Sequence, residues 1–364
     1  MLLRIAFRMF LVLLSRALLR GHSGTLHHNA RVHVSMESQK LLPANIAAPA
    51  ALTPEAIADL LRVGEAGNEI GAYLDTIFSE TKIPGSKGLI RWHRIAHDGT
   101  FDKPDVQKLV RKLVRLVIDF ACTRSEIEAA LSHWKNTKST EGLTALHEKA
   151  RRLFTKAKRS GEVGDLLLFY LTERLLKYPQ ILCKMPLKTN PNMHAHGADG
   201  VHASLNAETK HLRLHWGEAK LYANFEAALK DCCISLREML RSPAGAKKTK
   251  ERDLELLQDY LDLDNTLVEE AIKQYLDPDN VLSNNVEFCG VALIGFNYKD
   301  YQSLCDEFKK PDAAALAVRT AEWTEKITNA LKDHELVELT IDVLCIPCTS
   351  VEEIRSEFKK ALGI

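Results

Sequence analysis

No internal repeat and no low-complexity stretch interrupts the 364 residues, so solenoid and other array architectures are excluded. An excess of one charge sign is also absent. With 49 Lys and Arg against 48 Asp and Glu, the formal net charge is +1, and any nucleic-acid binding has to come from local basic patches. Eight scattered cysteines in a chain of this length do not make a disulfide scaffold; they suit a reducing compartment, which points to the cytoplasm. Cys345-Ile346-Pro347-Cys348 is a lone Cys-x-x-Cys without a second pair at zinc spacing, so it reads as a strand end, the alternative being a redox motif. The apolar run from Met9 to Leu14 is far shorter than the ~20 residues that span a bilayer, so no membrane partner is expected.

What is present begins with an unusual N-terminus. No acid precedes Glu37, and Arg4, Arg8, Arg16 and Arg20 recur at multiples of four, as in an amphipathic transit peptide or a weak signal sequence. The reading preferred is a third one: residues 1–35 are an upstream extension, with the natural start at Met36. Residues 36–150 then form a mainly helical region and residues 151–364 an α/β domain. The length allows two domains or one elaborated domain.

After an Ala- and Pro-rich linker, Thr53-Pro54-Glu55-Ala56 has the N-cap, proline and early acid of a helix start. Residues 104–122 follow helical periodicity, with Lys108, Arg111, Lys112 and Arg115 on the polar side. A second basic run comprises Lys149, Arg151, Arg152, Lys156, Lys158 and Arg159. Each is a solvated surface or a phosphate contact. A core helix is expected over residues 161–177, then strands over 181–188 and around 212–220. Helices follow over 223–241 and within 247–275, then a strand over 288–296, a helix over 313–332, a strand over 336–346 and a closing helix over 351–362. This order is that of a mixed sheet flanked by helices. His93 and His97 lie four apart but lack a third ligand, so a solvated or capping role is expected. The five histidines between His194 and His215 fit no zinc spacing. His202 and His215 read as surface residues, with an auxiliary acid or phosphate contact as the alternative. The acids Asp262, Asp264, Glu269 and Glu270 read as a solvated face or a partner surface.

The chemistry concentrates in two stretches: His196-Gly197-Ala198-Asp199-Gly200-Val201-His202, and His211-Leu212-Arg213-Leu214-His215-Trp216-Gly217-Glu218-Ala219-Lys220. Leu212, Leu214 and Trp216 alternate as in a strand, so Glu218 and Lys220 point to one side. Polar residues 206–210 read as a hairpin loop that returns Asp199 alongside Glu218. Two converging carboxylates suit magnesium, with manganese as a substitute, and an adjacent lysine can orient water or steady transition-state charge. A lone Glu-x-Lys is also a common exposed ion pair, worth little by itself.

Gly197-Ala198-Asp199-Gly200 followed by Gly217-Glu218-Ala219-Lys220 resembles the active-site motif of the PD-(D/E)xK nuclease superfamily, with Ala198 where a proline is usual. More narrowly, four blocks in order resemble the HamA family, the nuclease subunits of the Hachiman antiphage defence system. They are Gly161-Glu162-Val163-Gly164-Asp165-Leu166-Leu167, Lys184-Met185 with Lys188-Thr189-Asn190, residues 196–200, and Trp216-Gly217-Glu218-Ala219-Lys220-Leu221-Tyr222. The resemblance covers about the last two hundred residues and implies a restriction-endonuclease-like core with metal-dependent cleavage of DNA, of little sequence specificity. It also implies Asp199 and Glu218 as metal ligands, Lys220 as the residue assisting the attacking water, and a superfamily-two helicase partner of the HamB kind that restrains the nuclease. By the same resemblance, Glu162 becomes a supporting catalytic and metal ligand and Asp165 a lesser one; their alternative role is to complement the helix dipole. The rival expectation is a catalytically silent nuclease-fold subunit that binds DNA or protein.

Overall fold

A computed structural model describes residues 52–61, 70–96, 105–154, 161–187, 197–241, 249–263, 265–299, 301 and 313–364. The N-terminal extension, His97, Lys156, Lys158, Arg159, Lys188, His194, His196 and Asp264 lie outside them. Helix α1 (Pro54–Leu60) starts as its sequence requires, the Thr53 hydroxyl accepting the Ala56 N–H. Strands β1 (Leu74–Lys82) and β2 (Leu89–Ile95) form an antiparallel pair. Five helices follow: α2 (Val106–Arg115), α3 (Val117–Ala121), α4 (Arg124–Thr137), α5 (Glu141–Arg152) and α6 (Glu162–Arg174). Next come β3 (Gln180–Leu182), β4 (Gly200–Leu205), β5 (Leu212–Tyr222) and α7 (Phe225–Leu240). Two helices, α8 (Thr249–Tyr260) and α9 (Thr266–Leu276), precede β6 (Val286–Asn297). The chain closes with α10 (Ala313–Asp333), β7 (Ile341–Cys348) and α11 (Val351–Leu362).

Among the described residues the strands make a mixed seven-stranded sheet in the order β1-β2-β7-β6-β5-β4-β3. β2, β7, β6 and β5 run parallel; β1 and the β4-β3 side are antiparallel to their neighbours. Parallel central strands need apolar cover on both faces. Every residue of β7 is accordingly buried. One face, through Leu214, Trp216, Ala292 and Ile294, packs on α7, α9 and α10; the other, through Ala219, Leu221, Val291 and Leu293, packs on α2, α3, α6 and α11. Trp92 stacks on Trp323 of α10 at 4.8 Å between ring centroids, closing the first core.

The sheet differs from the sequence expectation in three places. The region expected to be mainly helical contributes β1 and β2, and β2 pairs directly with β7, so the sheet extends upstream of residue 150. The strand expected over residues 181–188 is three residues long and gives way to a turn of 3-10 helix at Met185–Leu187, where Pro186 has no N–H to offer a ladder. The last strand begins at Ile341 because α10 ends in a left-handed turn at Glu335, φ 59°, that takes up the preceding residues.

Candidate active site

Hairpin pairing between β4 and β5 sets the site. Gly200 lies opposite Gly217, and the Asp199 N–H donates to the Gly217 carbonyl at 2.9 Å, so Asp199 is delivered beside Glu218. Asp199 Oδ2 accepts the backbone N–H of Ala219 at 2.8 Å. Glu218 and Lys220 share the side of β5 that faces α7, and their side chains form an ion pair. Ser235 of α7 favours the ionised form of Glu218, and the Cys232 thiol donates to the Glu218 carbonyl at 3.6 Å.

This crowding shows in the protonation equilibria. Burial, then the Asp165 carboxylate, pushes Asp199 up to about 8; the Ala219 N–H, Lys220 and Lys184 oppose the rise. Burial, then Asp199, pushes Glu218 up to about 7. Lys220 also moves up, which for a lysine favours the charged form: burial alone would lower it, but Glu218 and Asp199 together hold it above the ordinary lysine value. Asp199 and Glu218 are thus two hard oxygen donors whose negative charges resist being housed together, a donor set that fits a divalent cation. Among the described residues no group of three or more His, Cys, Asp and Glu side chains is placed to hold a metal, so a cation here would complete its shell with water or phosphate oxygen.

Helix α6 approaches β5 closely enough for this because two glycines leave room. A Cβ on Gly164 would sit 2.9 Å from Leu221 Cδ1, and one on Gly217 would sit 2.8 Å from Leu168 Cδ2. The approach brings Asp165 within electrostatic reach of Asp199. Glu162 is fully buried in the same helical turn, with a polar interaction of its own inside the protein.

Sequence reasoning missed a second constellation behind the first. Asp253 of α8, with no exposed surface, accepts from Lys184 Nζ at 2.9 Å and from Trp216 Nε1 at 3.1 Å. Lys184 also donates to the Ala198 carbonyl at 3.1 Å. Lys184 stands in one of the four motif blocks, but Asp253 lies in a strongly charged helix, 69 positions along the chain.

Several other candidates make contacts within the fold. His202 and His215 are opposite one another on β4 and β5 and fully buried, not at the surface; burial pushes both down to about 3. His215 stacks on Tyr178 and shares a hydrogen bond with Ser204 at 2.8 Å. His93 is buried in β2 and is not solvated. Asp262 and Glu269 accept backbone N–H groups of Arg124 and Leu263 at 2.7 and 2.9 Å, so both acids join loops to helices. Arg151 is likewise tied to the Leu362 carbonyl and Lys149 to Glu126, whereas Lys108 and Lys112 lie over the Tyr73 ring. Cys345 and Cys348 are buried free thiols on β7.

The family model described as HamA matches residues 71–362. This chain belongs to the HamA family. No curated protein matches it. The HamA match runs from ahead of β1 to the last turn of α11, well beyond the blocks that carry the sequence resemblance. Asp199, Glu218, Lys220, Glu162 and the Lys184–Asp253 pair all fall inside the HamA-matched region. Among the described residues of this HamA-family chain, no helix is long and apolar enough to cross a membrane.

Proposed function

We propose that the protein is the nuclease subunit of a Hachiman-type antiphage defence system, a magnesium-dependent DNA endonuclease with a restriction-endonuclease-like core. The observation that carries this reading is the meeting of Asp199 and Glu218 across the β4–β5 hairpin with Lys220 on Glu218, in a chain of the HamA family. Asp199 and Glu218 are the residues that would hold magnesium or manganese; such an ion supplies Lewis acidity toward a phosphoryl oxygen and an attacking water.

The chain's own residues do the rest. The Ala219 N–H fixes one oxygen of Asp199, so that carboxylate has a defined direction before any ligand arrives. Lys220 stays an ammonium in the presence of Glu218 and Asp199, which suits it to orienting a water and steadying negative charge on phosphate rather than to taking a proton. Asp165 strengthens the negative field at Asp199, and Glu162 is assigned a supporting role by resemblance. DNA contact is assigned to local basic surface, since the net charge supplies no general attraction. The expected partner is a superfamily-two helicase of the HamB kind that keeps cleavage restrained, and the place of action is the cytoplasm.

Supercoiled plasmid incubated with the purified chain and magnesium is expected to be nicked and linearised, and chelator is expected to stop it. Glu218→Ala should abolish the cleavage and Lys220→Ala should slow it by about 10²-fold or more. Undiminished cleavage by both variants would remove the assignment and leave the chain as a binding module.

A further inference from the structure

The Gly197–Asp199 turn is held from behind by a polar cluster that no part of the proposed hydrolysis uses. Gly197 has φ 96°, and a Cβ there would lie 2.5 Å from Lys184 Nζ and 2.8 Å from Asp253 Oδ1, so the turn is packed directly onto the ion pair. Lys184 grips the Ala198 carbonyl at 3.1 Å, and the Ala198 N–H points to Asp253 Oδ2 at 3.5 Å. The other end of the cluster is Trp216, two residues before Glu218, whose indole N–H donates to the same Asp253 oxygen at 3.1 Å. One fully buried carboxylate thus joins the residue before Asp199 to the strand that carries Glu218 and Lys220. Burying a Lys–Asp pair costs desolvation that well-packed apolar side chains would avoid, so stability alone is a weak reason for it. A satisfied buried network does, however, fix geometry.

We propose that Asp253 is a positioning residue for the Asp199–Glu218 site: through Lys184, Ala198 and Trp216 it sets where the Asp199 carboxylate stands relative to Glu218. The inference rests on the metal-dependent reading above. Because Asp253 rides on α8, a helix inserted between α7 and β6, displacement of α8 acts on Asp199 without touching it.

The test measures manganese binding to the full chain by electron paramagnetic resonance, together with circular dichroism, in wild type, Asp199→Ala, Asp253→Asn and Trp216→Phe. Wild type should bind manganese and Asp199→Ala should lose it. Asp253→Asn should keep the wild-type circular dichroism spectrum but bind manganese at least about ten times more weakly, and raised manganese should restore its plasmid cleavage though not that of Asp199→Ala. A role confined to stability would lower the melting temperature and leave the manganese affinity of the folded protein unchanged, and that result would overturn the proposal. Should Asp253→Asn not fold, Trp216→Phe decides, since it removes one donor to Asp253 and keeps a ring: weakened manganese binding supports the proposal and unchanged binding overturns it. Wild type that binds no manganese, or binds it independently of Asp199, overturns the hydrolytic reading itself and this inference with it. A normal wild type beside an unaffected Asp253→Asn overturns the inference alone.

Discussion

Asp199 Oδ2 accepts the backbone N–H of Ala219 at 2.8 Å, which ties the first carboxylate of the site to the strand that carries the second. The two acids are therefore held together before any cation neutralises them, and Asp199 contributes to the raised proton affinity of Glu218 after burial. Asp199→Asn is expected to bring Glu218 down from about 7, but only part of the way to 4.5, because burial is the larger cause and remains. Carbon-13 NMR titration of the Glu218 carboxyl checks this. An unmoved titration would mean that the two carboxylates do not sense each other.

The same shifts give the protein a pH-dependent stability. Folding raises Glu218 from 4.5 to about 7 and Asp199 from 3.8 to about 8, so the folded state binds more protons than the unfolded chain and loses stability as pH rises through that interval. Buried His93, His202 and His215 work in the opposite direction. Lowered from 6.5 to about 4, 3 and 3, they cost stability as pH falls below 6.5 and are neutral in both states well above it. In chelator, the melting temperature is therefore expected to fall between pH 6.5 and 8. The double variant Asp199→Asn with Glu218→Gln should flatten that decline, as should magnesium added to wild type. Scanning calorimetry at stepped pH provides the measurement, and a double variant with an undiminished slope would count against the assignment.

The hairpin that creates the site was legible because it is local. Alternating Leu212, Leu214 and Trp216, the polar loop and the spacing from Asp199 to Glu218 all lie within 22 consecutive residues. β1 was not legible: Asp75, Thr76, Glu80 and Thr81 interrupt its apolar residues, as befits an edge strand whose partner β2 is set by a parallel pairing to β7 some 250 positions away. Asp253 escaped for a related reason. In Thr249–Tyr260 it is one charge among several, and only the fold reveals that it points at Lys184 and Trp216. His202 and His215 looked like surface residues because period-two patterning says which face a strand residue takes, not whether a helix covers that face.

Lys220 is expected to act by charge and position. Its ammonium is held above the ordinary lysine value by Glu218 and Asp199 despite burial, so the alkaline limb of the pH–rate profile should not be set by its loss of a proton. Removing a donor that stabilises developing charge typically costs about 10²-fold or more in kcat. Lys220→Ala is predicted to lose about that much with KM for DNA changed far less, and Lys220→Arg to recover part of the loss. Steady-state cleavage of a labelled duplex separates the two constants; a pure KM effect would reassign Lys220 to DNA binding.

Core packing remote from the site gives a contrast that shows what a purely structural loss looks like. Trp92 of β2 is fully buried and stacks on Trp323 of α10, which also meets Phe296 edge-on at 5.7 Å. Truncating a buried aromatic removes its transfer free energy and leaves a cavity, so Trp92→Ala should destabilise the protein by about 3–5 kcal/mol in chemical denaturation. The glycine contacts behave differently, because they set a distance. Gly164→Val crowds buried Leu221 and Ala219 and is expected to move α6 outward, overpacking that costs about 1–3 kcal/mol. It also carries Asp165 away from Asp199, so the Asp199 carboxyl, now pushed up to about 8 partly by that neighbour, should titrate lower in Gly164→Val and stay unchanged in Trp92→Ala. Both variants lose stability, but only the one at the helix–strand contact should alter the acid, and carbon-13 NMR of Asp199 in the two folded variants distinguishes a site held by α6 from one that β4 and β5 hold alone.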